Sequence, residues 1–119
     1  KENISNDGLT KIAVPSGNSL IFIDITKISY IKGEGAYSEV FCINDIKHMV
    51  SRNLKNFEDT LCNNSPFLRV HKSYIVNFDF VVAYNKSEGG LLELENKKQI
   101  PISSEKIALI LDKIQLIKR

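Results

Sequence analysis

Turn-forming residues interrupt this chain at short intervals, and that spacing bounds what it can fold into. Pro15-Ser16-Gly17-Asn18, Gly33-Glu34-Gly35, Asn44-Asp45, Ser87-Glu88-Gly89-Gly90 and Asn96-Lys97 supply the backbone freedom and local side-chain hydrogen bonds that tight turns need. The runs between them are short and rich in β-branched and aromatic residues, the pattern of strands. KIAVP (11–15), SLIFI (19–23) and YIKG (30–33) read as strands, with Asp24 a local cap where DITKIS turns. YSEVFCI (37–43) alternates, setting Tyr37, Glu39, Phe41 and Ile43 against Ser38, Val40 and Cys42. IKHMV (46–50) follows across a hairpin turn at Asn44-Asp45. FVVAYN (80–85), GLLELEN (90–96) and KKQIPI (97–102) complete the set. Gly33 and Gly35 suit a loop that bends sharply.

Two segments carry helical spacing instead. Leu54, Phe57 and Leu61 fall at i, i+3 and i+7 in SRNLKNFEDTLCNN, with Ser51 as candidate cap. Asn63-Asn64 and Pro66 stop that helix. After Ser103, the residues Ile107, Ile110, Leu111, Ile114 and Ile117 share one face, and Lys113, Lys118 and Arg119 gather toward the end favoured by the helix dipole. The fold class is therefore mainly β with at least one substantial helix.

At 119 residues the chain holds one domain. It is 43% hydrophobic and 25% charged, a globular composition. No apolar run approaches the roughly 20 residues of a membrane-spanning helix. The chain does not begin with Met, so it is read as part of something longer: residues 1–9 the end of a linker, residues 10–119 the domain. Cys42 and Cys62 lie in apolar surroundings without a C-x-x-C pair or a histidine at ligand spacing. They read as free, buried, cytoplasmic thiols, and no metal is expected. No nucleophile elbow, phosphate-binding loop or paired-carboxylate motif occurs, so neither an enzyme nor a cofactor site is expected.

One stretch fits no ordinary strand or loop. FLRVHKSYIVNF (67–78) sets Arg69, His71, Lys72, Ser73 and Asn77 among apolar residues, and no acid occurs between Asp59 and Asp79. Arg69 and Lys72 are suitable cations for phosphate, and Ser73 is a neutral donor. His71 and Asn77 read as satisfying backbone groups in a tight turn. Arg69 either forms a solvated face or addresses an anion, whereas Lys72 falls where the strand runs into the turn with nothing acidic near it in sequence, and reads as addressing an anion.

Phe67, Arg69, His71, Lys72, Ser73, Tyr74, Ile75, Val76 and Asn77 resemble the F-x-R-x-H-[basic or Asn]-S-[aromatic]-[aliphatic]-V-N signature of the LytTR DNA-binding domain, the output domain of a class of bacterial response regulators. ITKISYIKGEGAYSEVF, VSRNLKNFEDTL and KKQIPISSEKIALI resemble further family segments in the same order, so the resemblance covers roughly residues 10–117. It implies an elongated stack of small antiparallel sheets with short helices and a C-terminal helix. It also implies that loops, not a recognition helix, enter successive major grooves of double-stranded DNA. The contact segments it assigns are Tyr37 and Ser38, then Arg69, Lys72 and Ser73, then Ser103 and Ser104. Ser104 stands where many members carry an Arg. That departure implies weaker specificity, a different preferred base, or compensation by Lys106 one turn on. Promoter direct repeats bound by a dimer, paired through a receiver domain N-terminal to this segment, are the arrangement the resemblance implies. A protein-interaction or sensory β-module using an exposed sheet edge is the rival from another class, but an interaction module has no need of an acid-free basic stretch.

Overall fold

The computed structural model describes residues 10–63 and 65–113. The linker expected at residues 1–9 lies outside them, as do Asn64, Ile114, Ile117, Lys118 and Arg119. Among the described residues the order is β1 (Lys11–Ser16), β2 (Ser19–Asp24), β3 (Ile28–Glu34), β4 (Tyr37–Cys42), β5 (Lys47–Val50), α1 (Leu54–Leu61), β6 (Phe67–His71), β7 (Tyr74–Asn77), β8 (Val81–Asn85), β9 (Leu91–Leu94), β10 (Gln99–Pro101) and α2 (Ile107–Lys113). Single turns of 3-10 helix join several of them. No helix among them is long and apolar enough to cross a membrane.

The strands form three antiparallel sheets. A five-stranded sheet runs β5-β4-β3-β7-β6, flanked by the β1-β2 hairpin and by a three-stranded sheet, β10-β9-β8. The five-stranded sheet is apolar on both faces, so it must be covered on both. One face carries Ile28, Ile31, Val40, Val50, Phe67 and Ile75, against Ile12, Val14 and Ile23 of the hairpin and Leu54, Phe57 and Leu61 of α1. The other carries Tyr30, Val70 and Val76, against Leu92, Leu94, Ile100, Ile102 and Ile110. Fully burying each such side chain contributes about 1.5–3 kcal/mol. The stack measures 51 × 36 × 26 Å, the elongated shape expected of layered small sheets.

β3 serves both faces because of a bulge. Ile28 pairs with Cys42 and Tyr30 with Phe41, so two residues of β3 oppose one of β4. The extra residue resets the alternation, letting Ile28 and Ile31 face one cluster while Tyr30 faces the other. Ser29, buried at the bulge, donates its hydroxyl to Phe41 O at 3.1 Å. Asn77, also buried, donates Nδ2–H to Ile28 O at 2.9 Å and accepts Asp79 N–H on Oδ1. That one amide ties the end of β7 to the start of β3 and caps the following turn.

Local chemistry sets the element limits. Asn44 and Asp45 both take positive φ, 62° and 59°, as the β4–β5 hairpin requires. α1 begins two residues later than a Ser51 cap implies, because Asn53 accepts the Asn56 N–H at 3.1 Å. At the C-terminal helix Ser103 makes no side-chain cap, and a 3-10 turn at Ser104–Lys106 precedes α2. Cys42 and Cys62 are free but only partly buried, a correction to full burial.

Two predictions test this architecture. Replacing Asn77 with Ala strands Ile28 O and Asp79 N–H and should cost about 2–4 kcal/mol in denaturant unfolding. Tyr30 offers a pH test. Its burial, with Tyr74 and Glu39 adding to the effect, pushes the phenol up from 10.0 to about 12. The folded state therefore keeps the neutral phenol after the unfolded chain has ionised. The stabilising contribution is complete below pH 10 and is lost as pH rises through about 12. Tyr30→Phe should flatten that alkaline fall in the unfolding midpoint, and an unchanged slope would contradict it.

Candidate nucleic-acid interface

Both turns that carry expected contacts project from one end of the five-stranded sheet. β3 and β4 close on the Glu34↔Tyr37 pair through Gly35 and Ala36, with Gly35 at φ 61°. β6 and β7 close on His71↔Tyr74 through Lys72 and Ser73. β3 pairs Lys32 with Tyr74, and Gly33 N–H donates to Ser73 O at 2.8 Å. The turns are thereby bonded to each other across the sheet.

Gly33 has a packing role rather than a bending one. A Cβ there would lie 2.9 Å from Leu54 Cβ, so its absence lets the start of α1 settle onto β3. This seats α1 beside both turns. The result is a cleft lined by Gly33, Gly35, Asn53, Leu54, Lys55, Arg69, Lys72 and Ser73.

The signature segment divides by strand alternation. Phe67 and Arg69 point to the face covered by α1, Leu68 and Val70 to the other. Arg69 consequently meets Glu58 of α1, Nη1 to Oε1 at 2.9 Å. Its Nη2 donates to Lys72 O at 2.6 Å and its Nε to His71 O at 3.4 Å. His71 Nδ1 accepts the Ser73 N–H at 3.0 Å, which assigns the ring proton to Nε2 in the neutral form. The carbonyls of residues 71, 72 and 73 are thus all bonded inward, to Arg69 twice and to Gly33. Lys72 is exposed at the tip, with no ion pair among the described residues. The Ser73 hydroxyl donates to no group among them.

Not every expected contact residue is free to reach a ligand. Tyr37 is 53% exposed and borders a shallow depression with Glu34, Glu39 and Met49. Ser38 is fully buried, and its hydroxyl donates to Arg52 O at 2.8 Å, so it is a structural residue in this fold. Arg69, expected to face DNA, is half-buried and committed to Glu58 and the turn. The acid-free reading of the segment ended one residue short of this partner. Glu58 was signalled only by its helical position: it falls at i+4 from Leu54, inside the buried stripe of i, i+3, i+4 and i+7.

The third expected segment abuts the second. Ser103 N–H donates to Val70 O at 2.9 Å, pinning the β10–α2 junction to edge strand β6. Ser104 is exposed there and Lys106 half-buried. Lys106 lies near enough to Cys62 to act on it. Burial and then Glu58 push that thiol up to about 11, while the Arg69 backbone and the Arg69 and Lys106 charges oppose the rise. Three further cations have partners of their own: Lys47 pairs with Glu39, Lys55 with Asp59, and Lys98 sits over the Tyr30 ring.

The family model of the LytTr DNA-binding domain matches residues 18–115. The heme-containing CO-sensing transcriptional regulator RcoM 1 of Paraburkholderia xenovorans is 28% identical over 103 residues, 84% of this chain and 38% of that protein. The CO-responsive transcriptional regulator RcoM of Rhodospirillum rubrum is 32% identical over 95 residues, 73% of this chain and 36% of that protein. The chain therefore spans little more than a third of these relatives. A solved LytTr DNA-binding domain from Bacillus cereus superposes with a TM-score of 0.73 at 21% identity, covering 88% of this chain and 96% of that one.

The placement of Ser38 yields a prediction. Ser38→Ala removes the bond to Arg52 O and should lower unfolding free energy by about 1–2 kcal/mol. Affinity of the folded variant for DNA should stay unchanged. A loss of binding at unchanged stability would return Ser38 to the interface.

Proposed function

This chain belongs to the LytTr DNA-binding domain family, and on that premise we propose that it reads double-stranded DNA sequence-specifically through its turns, as the effector domain of a two-component transcription regulator. The observation that carries the reading is the β6–β7 tip. Its carbonyls are bonded inward while the Lys72 ammonium is held outward. A tip of that kind presents positive charge and donors to a polyanion, with its acceptors turned away.

The proposed contact set is Tyr37 from the β3–β4 side, Lys72 and Ser73 at the signature tip, and Ser103, Ser104 and Lys106 at the β10–α2 junction. Lys72 addresses base edges and Ser73 a neighbouring phosphate. With Ser104 in place of the frequent Arg, Lys106 is the nearest cation in sequence to that junction. Arg69 and Ser38 are left out of the contact set because their polar groups are already bonded.

A net charge of +2 gives one domain modest hold on a phosphate backbone, so affinity depends on pairing two chains on direct repeats about one helical turn apart. The pairing element is assigned to a receiver domain outside this segment, and the protein to the cytoplasm.

Genomic selection with the purified chain tests class and target together. It should enrich short duplexes containing repeats, with binding that weakens steeply as salt rises. Absent or salt-insensitive binding would sink the reading and favour the sheet-edge interaction module. Lys72→Ala should lower affinity for the selected duplex by about 1–3 kcal/mol. Its unfolding free energy should stay within about 0.5 kcal/mol of the parent. Collapse of the unfolding transition with binding spared would show that the faces of the signature were misassigned.

A further inference from the structure

We propose that Arg69 is a positioning residue that couples α1 to the β6–β7 tip, with Glu58 as its anchor, so that a half-buried acidic side chain sets where Lys72 reaches. The inference rests on the DNA-binding reading above and deepens it.

The guanidinium is a rigid, planar fork of five donors, and three of its nitrogens are engaged in different directions. Nη1 meets Glu58 Oε1 at 2.9 Å, Nη2 meets Lys72 O at 2.6 Å, and Nε reaches His71 O at 3.4 Å. A lysine ammonium is a point charge on a flexible stem and cannot hold a carboxylate and two successive carbonyls in one plane. A two-residue turn left to itself would direct some of those carbonyls at an approaching phosphate, where like partial charges repel. Arg69 takes two of them, and Gly33 N–H takes the third, Ser73 O, at 2.8 Å.

Glu58 completes the device. It sits half-buried on the inward face of α1, between the buried Leu54 and Leu61, so it cannot follow the guanidinium outward. Without that anchor the Arg69 cation is drawn to the nearest phosphate and the tip loses its brace. Simple charge counting gives the opposite sign, since removing a carboxylate near a polyanion's site strengthens binding. That difference in sign makes the device testable.

The test compares the full chain with its Glu58→Ala and Arg69→Lys variants. Binding is measured to a duplex enriched by the wild-type chain and to a scrambled duplex of equal composition. Both variants should lose about tenfold in affinity for the enriched duplex, the cost of a misplaced base contact. Affinity for the scrambled duplex should hold or rise. In a Lys72→Ala background, Glu58→Ala should add no further loss of the specificity ratio, because both act through one contact. Tighter binding of Glu58→Ala to both duplexes, with a salt slope steeper by about one phosphate, would overturn the proposal and make Arg69 a phosphate contact held in reserve. Additive losses in the double variant would overturn it as well.

A second measurement does not depend on DNA. Amide hydrogen exchange at Ser73 and Gly33 should accelerate by about tenfold in Glu58→Ala, while the amides of β3 and β4 that pair Ile31 with Val40 keep their protection. Unchanged exchange at Ser73 and Gly33 would refute the brace whatever the DNA result. If selection with the wild-type chain enriches no duplex while exchange responds as expected, the DNA reading fails and the brace stands.

Discussion

Everything in this molecule is referred to β3, a strand hydrogen-bonded along both edges and buried on both faces. Such a strand has no freedom to slip: a shift of one residue would exchange Tyr30 and Ile31 between two differently shaped clusters. Its register therefore fixes that of its neighbours, with Glu34 opposite Tyr37 on one side and Lys32 opposite Tyr74 on the other. The two pairings stagger the adjacent turns by two residues along the strand, about 7 Å. The separation of the candidate reading elements thus follows from core packing. The bulge at Ser29 is the local cost of two-sided burial, and Ser29 and Asn77 satisfy carbonyls of its neighbours.

A sheet apolar on both faces has few places for polar chemistry except its ends. That explains why a chain of net charge +2 can still present a local cation where one is needed. Lys47 lies along Phe41 and pairs with Glu39, Lys98 covers Tyr30, and Lys55 is neutralised by Asp59. These cations are absorbed by packing or by acids on the same layer. At the β6–β7 tip the arrangement is inverted: the acid, Glu58, is drawn inward to Arg69, and Lys72 is left facing solvent. Net charge is a poor guide to such a surface, because the field near the tip is set by which charges are paired and where.

The sequence made the period-two features legible and left the tertiary ones hidden. The alternation of Ser38, Val40 and Cys42 against Tyr37, Glu39 and Phe41 matches the observed faces, since strand geometry leaves a side chain only two directions. That same alternation groups Ser38 with Val40 and Cys42, the set the structure turns inward, although the family resemblance assigned Ser38 to DNA. The inward face of α1 was legible from Leu54, Phe57 and Leu61 for the corresponding reason at period 3.6. Its start was not, because Ser51 and Asn53 are both competent caps and the choice depends on how closely Gly33 lets the helix approach. The ion pair between residues 58 and 69 was invisible because its partners come from different elements. No local pattern records which helix will cover which strand.

The separation of duties between core and tip bears on how such a domain changes its target. Lys72 and Ser104 are exposed, so exchanging them disturbs little packing, and surface changes of this kind shift stability by about 0.5 kcal/mol or less. A single bidentate contact to a base changes discrimination by about 1–3 kcal/mol. If the proposed contact set holds, specificity at these positions moves several times further than stability, and position 104 accepts other side chains without altering the fold that presents it. Arg69 and Glu58 do not have that freedom. They are half-buried and joined to both the helix and the turn, so a change at either reaches the β6–β7 tip through geometry, whatever side chains the tip presents.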